Sequence, residues 1–120
     1  MAEVKWIEHA GKKILLMDFS YSEKQEVLDA VKKTMSITEK EPPASILGLV
    51  DVSKSSFDND VAASMKELAK HNKPYIKMSV VVGVDGIKRV IYNAAIVFSG
   101  RKNLVLKSSR EEAMEFLVKQ

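Results

Sequence analysis

A chain of 120 residues, 46% hydrophobic and 29% charged, has the size of one domain and enough apolar side chains for a core. It has no cysteine, which excludes disulfides, thiolate catalysis and cysteine metal sites; His9 and His71 are too few for a dedicated zinc centre without carboxylates. The net charge of +3 is mild and lysines alternate with glutamates, so the concentrated basic face of a specific nucleic-acid binder is not expected.

No apolar run approaches membrane-spanning length, and the amino-terminal MAEVKWIEH is charged, so neither a signal peptide nor membrane insertion is expected. The reading is one domain over 1–120, cytoplasmic, with no cofactor and no metal. A first strand is expected over 4–9, then a turn at Ala10, Gly11 and Lys12. A second over 14–19 carries the apolar run ILLM; such runs imply burial on both faces, so this strand is placed centrally. Ser22 with Gln25 reads as a capping box, opening a helix whose inward stripe is Val27, Leu28, Val31 and Met35. Pro42 and Pro43 end that segment.

The third strand covers 46–51 and runs through a polar loop into a helix over about 59–71, with Val61, Met65 and Leu68 inward. The fourth covers 76–84 and is β-branched, as suits a buried strand. Asp85 is the expected N-cap of the next helix. There Ile87, Val90, Ile91, Ala94, Ala95 and Phe98 are read as the inward stripe, leaving Tyr92 and Ile96 on the outer side. Gly100 suits the helix end, followed by Arg101 and Lys102. A short strand over 104–106 precedes a helix opened by Ser109 and Glu112 and running through Val118. The order β-β-α-β-α-β-α-β-α defines an α/β domain: a mixed, mostly parallel five-stranded sheet with four helices.

Element order, with a third strand running through Asp51-Val52-Ser53 into a loop and helix, resembles the STAS domains, the anti-sigma-factor antagonist fold. The segments GVDGIKRVIYNAAIVFSGRKN and SSREEAMEFL resemble the SpoIIAA-like branch, which is grouped with CRAL-TRIO lipid-binding domains. The resemblance implies a regulatory, protein-binding module. STAS regulators place Asp-Ser-Ser/Thr-Gly at the second helix start, with a phosphorylated serine. Here Asp51 and Ser53 match the strand end and Phe57 the apolar loop position. Asn59-Asp60-Val61-Ala62 then stands where the switch would be, so the switch serine is missing.

The candidate partner-binding residues are Asp51, Ser53, Ser55, Ser56, Asp58, Asn59, Asp60, Tyr92 and Ile96. Asp58, Asn59 and Asp60 read either as a fixed acidic recognition point or as ordinary helix capping. Ser53, Ser55 and Ser56 read as phosphate acceptors or as a polar loop bonded to its own backbone. Asp18, Asp51 and Asp85 near three strand ends would suit Mg²⁺ if brought together, or serve in turns and caps. Gly83-Val84-Asp85-Gly86 lacks the spacing of phosphate-binding loops and reads as a tight strand-to-helix turn. The favoured function is a non-enzymatic STAS-type interaction module with a protein partner. An edge strand or the Tyr92 face offers a route to a homodimer. The alternatives are a small apolar-ligand or lipid-binding domain, and a Mg-dependent enzyme using the strand-end aspartates.

Overall fold

A two-residue turn sets the first strand pair. Ala10 and Gly11 both lie at positive φ, 49° and 79°, a geometry whose twist matches the flanking strands. It joins β1 (Glu3–His9) antiparallel to β2 (Lys12–Asp18), with His9 opposite Lys12 and Glu3 opposite Asp18. The chain continues through α1 (Lys24–Thr38), β3 (Ile46–Asp51), α2 (Asn59–Asn72), β4 (Ile76–Val82), α3 (Gly86–Ser99), β5 (Leu104–Leu106) and α4 (Arg110–Val118). The strands form one sheet in the order β1-β2-β3-β4-β5, parallel from β2 onward. This computed structural model describes residues 2–120, apart from the side chains of Ile87, Ile91, Ala95, Phe98 and Ser99.

Every crossover from β2 to β5 steps in the same direction, and crossovers of one hand then stack their helices on one face. Val27 and Val31 of α1, Val61, Met65 and Leu68 of α2, and Tyr92 of α3 accordingly share a cluster with Leu15, Met17, Val50 and Val81. The alternate residues Ile14, Leu16, Leu47, Leu49, Val80 and Val82 face the other way and pack against Ala113 and Leu117 of α4. Burial on both faces explains the continuous apolar runs. The centre of the sheet is β3, all six residues of which are buried; β2, expected to be central, lies between β1 and β3. The adjacent parallel strands β4 and β5 thus feed helices on opposite faces. Connections that diverge in this way open a crevice at the carboxyl ends of the strands.

Local differences from the sequence pattern have local causes. Helix α1 starts after Glu23, whose amide donates to Glu26 Oε1 at 3.1 Å. The expected cap, Ser22, is buried and donates its hydroxyl back to the Ser20 carbonyl at 3.0 Å, so it serves the preceding turn. The inner face of α1 includes Thr34 and Thr38, whereas Leu28 and Met35 are half-buried. Thr34 satisfies its hydroxyl on the Ala30 carbonyl at 2.8 Å, and Thr38 donates to Asn72 Oδ1 at 2.9 Å, joining α1 to the last turn of α2.

Helix α3 is turned relative to the sequence expectation. Tyr92 is 6% exposed, whereas Val90 and Val97 are 69% and 80% exposed, and Ala94 is also exposed. Tyr92 and Ile96 therefore lie on the sheet side, and Val90 and Ala94 are not core residues. The other expected inward residues, Ile87, Ile91, Ala95 and Phe98, fall outside the described side chains. The helix is apolar almost all round, so periodicity alone leaves its buried face undetermined.

Candidate functional site at the carboxyl edge of the sheet

The ends of β2 and β3 bring two carboxylates side by side, since Asp18 and Asp51 are register partners. Like charges so placed repel, and the chain answers with a cation from the far end of the sequence. Arg110, the first residue of α4, donates Nε to Asp51 Oδ2 at 2.6 Å and places Nη2 at 2.9 Å from Asp18 Oδ2. The other oxygen of Asp51 accepts the Ser53 amide at 2.9 Å, and Ser20 donates both amide and hydroxyl to Asp18 Oδ1. The three aspartates weighed as an alternative Mg²⁺ set are not brought together as one group. A guanidinium already neutralises the pair, Asp85 is a separate exposed residue at the start of α3, and among the described residues no three acidic or histidine side chains converge to hold a metal.

The position of Arg110 in the sequence carries one sign of this role. A cation in the first turn of a helix opposes the dipole, so its presence there asks for an anionic partner elsewhere. Burial works to raise the Asp18 pKa, but the hydrogen bonds from Ser20 and Arg110 and the Arg110 charge together outweigh it. The carboxyl lies below its ordinary 3.8. Ionised Asp18 therefore contributes stability that is complete above pH 3.8 and is lost as pH falls through the lower folded value. Urea denaturation of wild type and Asp18→Asn is expected to show a stability gap well above that pH which narrows well below it.

Beyond the clamp, the loop from β3 to α2 is tied to its own backbone and to the neighbouring turn. The Ser53 carbonyl accepts the Tyr21 amide at 2.9 Å, and the Ser56 amide donates to the Ser22 carbonyl at 2.8 Å. Ser55 is 8% exposed and donates its hydroxyl to the Val52 carbonyl at 2.9 Å, which matches the backbone-bonded reading of this serine and not the phosphate-acceptor one. Ser53 and Ser56 are half-buried. Asp58, Asn59 and Asp60 are exposed at the start of α2. Asp58 caps the helix by accepting the Val61 amide at 2.9 Å. Its Oδ2 lies 3.1 Å from Lys24 Nζ, which also pairs with Asp60. Asp58→Ala is expected to cost about 1 kcal/mol, the usual worth of an N-cap, read as a lowered urea midpoint.

Tyr92 stacks obliquely on Phe57 of this loop, with ring centroids 5.8 Å apart. Its hydroxyl has no hydrogen-bond partner among the described residues, and desolvation holds its pKa well above 10.0. It lines a small cavity with Asn72, Ser79, Ile96 and Arg101. The buried Arg101 guanidinium donates Nε to Asn103 Oδ1 at 3.1 Å, and burial lowers its pKa to about 10. The cavity measures about 40 Å³, against the roughly 300 Å³ or more of typical ligand pockets. This cavity offers no room for an acyl chain.

A larger opening lies at the crevice between β4 and β5. It measures about 680 Å³ and is lined by Ser53, Lys54, Gly83, Lys88, Arg89 and Lys107, among others. Gly83, at φ +82°, sits so close to Ser53 that a Cβ there would meet the Ser53 amide nitrogen at 2.5 Å. The ends of β3 and β4 can approach this closely only because position 83 has no side chain. Sequence reading treated this glycine as a turn residue and did not gather the four cations, which come from three separate segments.

No protein-family model and no curated protein matches this sequence. Among solved structures, the chain is similar to an uncharacterized protein from the DUF3478 family with a SpoIIAA-like fold from Shewanella loihica PV-4. The TM-score is 0.73 at 11% identity, over 97% of this chain and 93% of that one. The fold is therefore SpoIIAA-like, as the resemblance of the GVDGIKRVIYNAAIVFSGRKN and SSREEAMEFL segments implied. Among the described residues, no helix is long and apolar enough to cross a membrane.

Proposed function

We propose that this chain is a non-enzymatic, cytoplasmic regulatory module of STAS type that binds a protein partner through the outer face of α3. The observation that carries this reading is the exposure of Val90 and Val97, 69% and 80%, with Ala94 exposed between them. Spaced at i, i+4 and i+7, these three form one apolar strip along the helix. The strip replaces Tyr92 and Ile96 as the contact surface. Helix α3 carries Lys88 and Arg89 and no acid, so the complementary partner is an amphipathic segment whose apolar stripe is bordered by carboxylates. Regulation by a serine at the start of α2 is not part of the proposal, because Asn59, Asp60 and Val61 stand there. The clamped Asp18–Arg110–Asp51 group supports a structural and not a catalytic role for those carboxylates.

A photocrosslinking amino acid at position 97, activated in cells, tests the surface. The expected result is an adduct with a peptide that is apolar and acidic, lost when Val90→Glu is added. Adducts only with a second copy of the chain, only with lipid, or with nothing would overturn the proposal.

A further inference from the structure

We infer that the crevice between the carboxyl ends of β4 and β5 is a binding site for a small phosphorylated molecule. Three independent features meet there. The first is topological: β4 and β5 are adjacent and parallel, yet α3 packs on one face of the sheet and α4 on the other. Open α/β sheets bind their ligands where neighbouring connections diverge in this way. The second is size, about 680 Å³, within the range of small-molecule pockets.

The third feature is charge. Lys54 comes from the β3–α2 loop, Lys88 and Arg89 from the first turns of α3, and Lys107 from the end of β5, and all four line the crevice. Asp85 and Glu112 are the acids on the same wall, and Glu112 is already engaged by the Ser108 hydroxyl at 2.8 Å. Two of the cations are held in place by the protein. Lys88 Nζ donates to the Ser55 carbonyl at 3.1 Å, and Lys107 Nζ lies 4.8 Å from the centre of the Phe116 ring. Positive charge fixed on several sides of one crevice suits a multiply charged anion better than a monocarboxylate. A guanidinium such as that of Arg89 adds the fork geometry that grips two phosphate oxygens.

Gly83 and Ser53 meet on the wall of the crevice, where the ends of β3 and β4 come together. Val84 and Leu106 supply an apolar wall for the organic part of the ligand. The crevice shares Lys88 and Arg89 with the flank of the α3 strip, but its other cations, Lys54 and Lys107, lie off that helix.

Calorimetric titration of the full chain with inorganic phosphate, AMP and ADP tests the assignment. Vesicles containing a phosphoinositide and the corresponding soluble inositol phosphate form a second arm. The expected result is saturable binding of the soluble phosphates, stronger for ADP than for inorganic phosphate. Affinity should weaken at least tenfold in Arg89→Glu and in Lys107→Glu, with the thermal midpoint of each variant within a few degrees of wild type. Binding to vesicles but not to the soluble inositol phosphate would place the same phosphate chemistry on a lipid headgroup and overturn the free ligand. Absence of binding in both arms, equal binding of acetate, or binding that survives both substitutions would overturn the site.

Discussion

Replacing Arg110 with methionine is expected to destabilise the protein by roughly 2 kcal/mol. Removing one partner of a fully buried ion pair costs about 3–5 kcal/mol because the other charge is left unpaired. Here the side chain of Arg110 is 37% exposed, that of Asp18 21% and that of Asp51 8%, so solvent screens part of the loss. The damage is not the missing contact alone. Two carboxylates on register-paired residues would face each other without a counter-charge, and of its partners among the described residues Asp51 would keep the Ser53 amide. Adding Asp51→Asn to the methionine variant removes the repulsion and is expected to restore more than half of the loss. Equilibrium urea denaturation of the two single variants and the double variant measures this coupling. A loss below about 0.5 kcal/mol in Arg110→Met would put the group among surface ion pairs that contribute nothing measurable.

The Gly83→Ala variant is expected to lose more, about 3 kcal/mol or above. Two costs add there. An L side chain at φ +82° is strained whatever the space around it. The new Cβ would also lie 2.1 Å from Ser53 Oγ, 2.5 Å from its amide nitrogen and 2.7 Å from its Cα. A hydroxyl can rotate away, but the Ser53 backbone cannot. Its amide is held by Asp51 Oδ1 and its carbonyl by the Tyr21 amide. The ends of β3 and β4 would have to separate, as overpacking in a fixed frame requires. Gly86→Ala provides the contrast, with positive φ but open space, and is expected to cost about 1 kcal/mol. Thermal denaturation of both variants checks the order; equal losses would mean that backbone conformation alone, and not the approach to Ser53, is limiting.

Much of the fold was legible because burial of a sheet on both faces leaves a strong mark. The ILGLV run gave β3 its bounds, and LVL gave those of β5, since each is flanked by polar residues and turn signals. Capping was legible where a short polar side chain stood before an apolar pattern. Asp58 and Ser109 each accept the amide three residues on. Ser22 showed the limit of that signal: its hydroxyl is used by the Ser20 carbonyl, so the cap moved to Glu23.

The candidate site was legible only in part. Asp51 and the start of α2 were placed from the strand-to-helix pattern, which is local. The partner of Asp51 lies 59 residues away, and nothing local to either residue names the other. Tyr92 and Val90 were reversed because α3 has apolar residues on nearly every side. Its buried face is chosen by contact with Phe57 and the sheet, not by a pattern within the helix.

The sequence by itself determined the order of elements, the two-faced burial of the sheet and the strand end at Asp51-Val52-Ser53. These follow from period, run length and turn chemistry, which act over a few residues. Only the tertiary structure decided that Arg110 bridges Asp18 and Asp51, that α3 exposes Val90 and Val97, and that Lys54, Lys88, Arg89 and Lys107 surround one crevice. Each is a meeting of segments distant in the chain. Such meetings are fixed by which helix crosses which face of the sheet, a choice made by the packing of the whole domain.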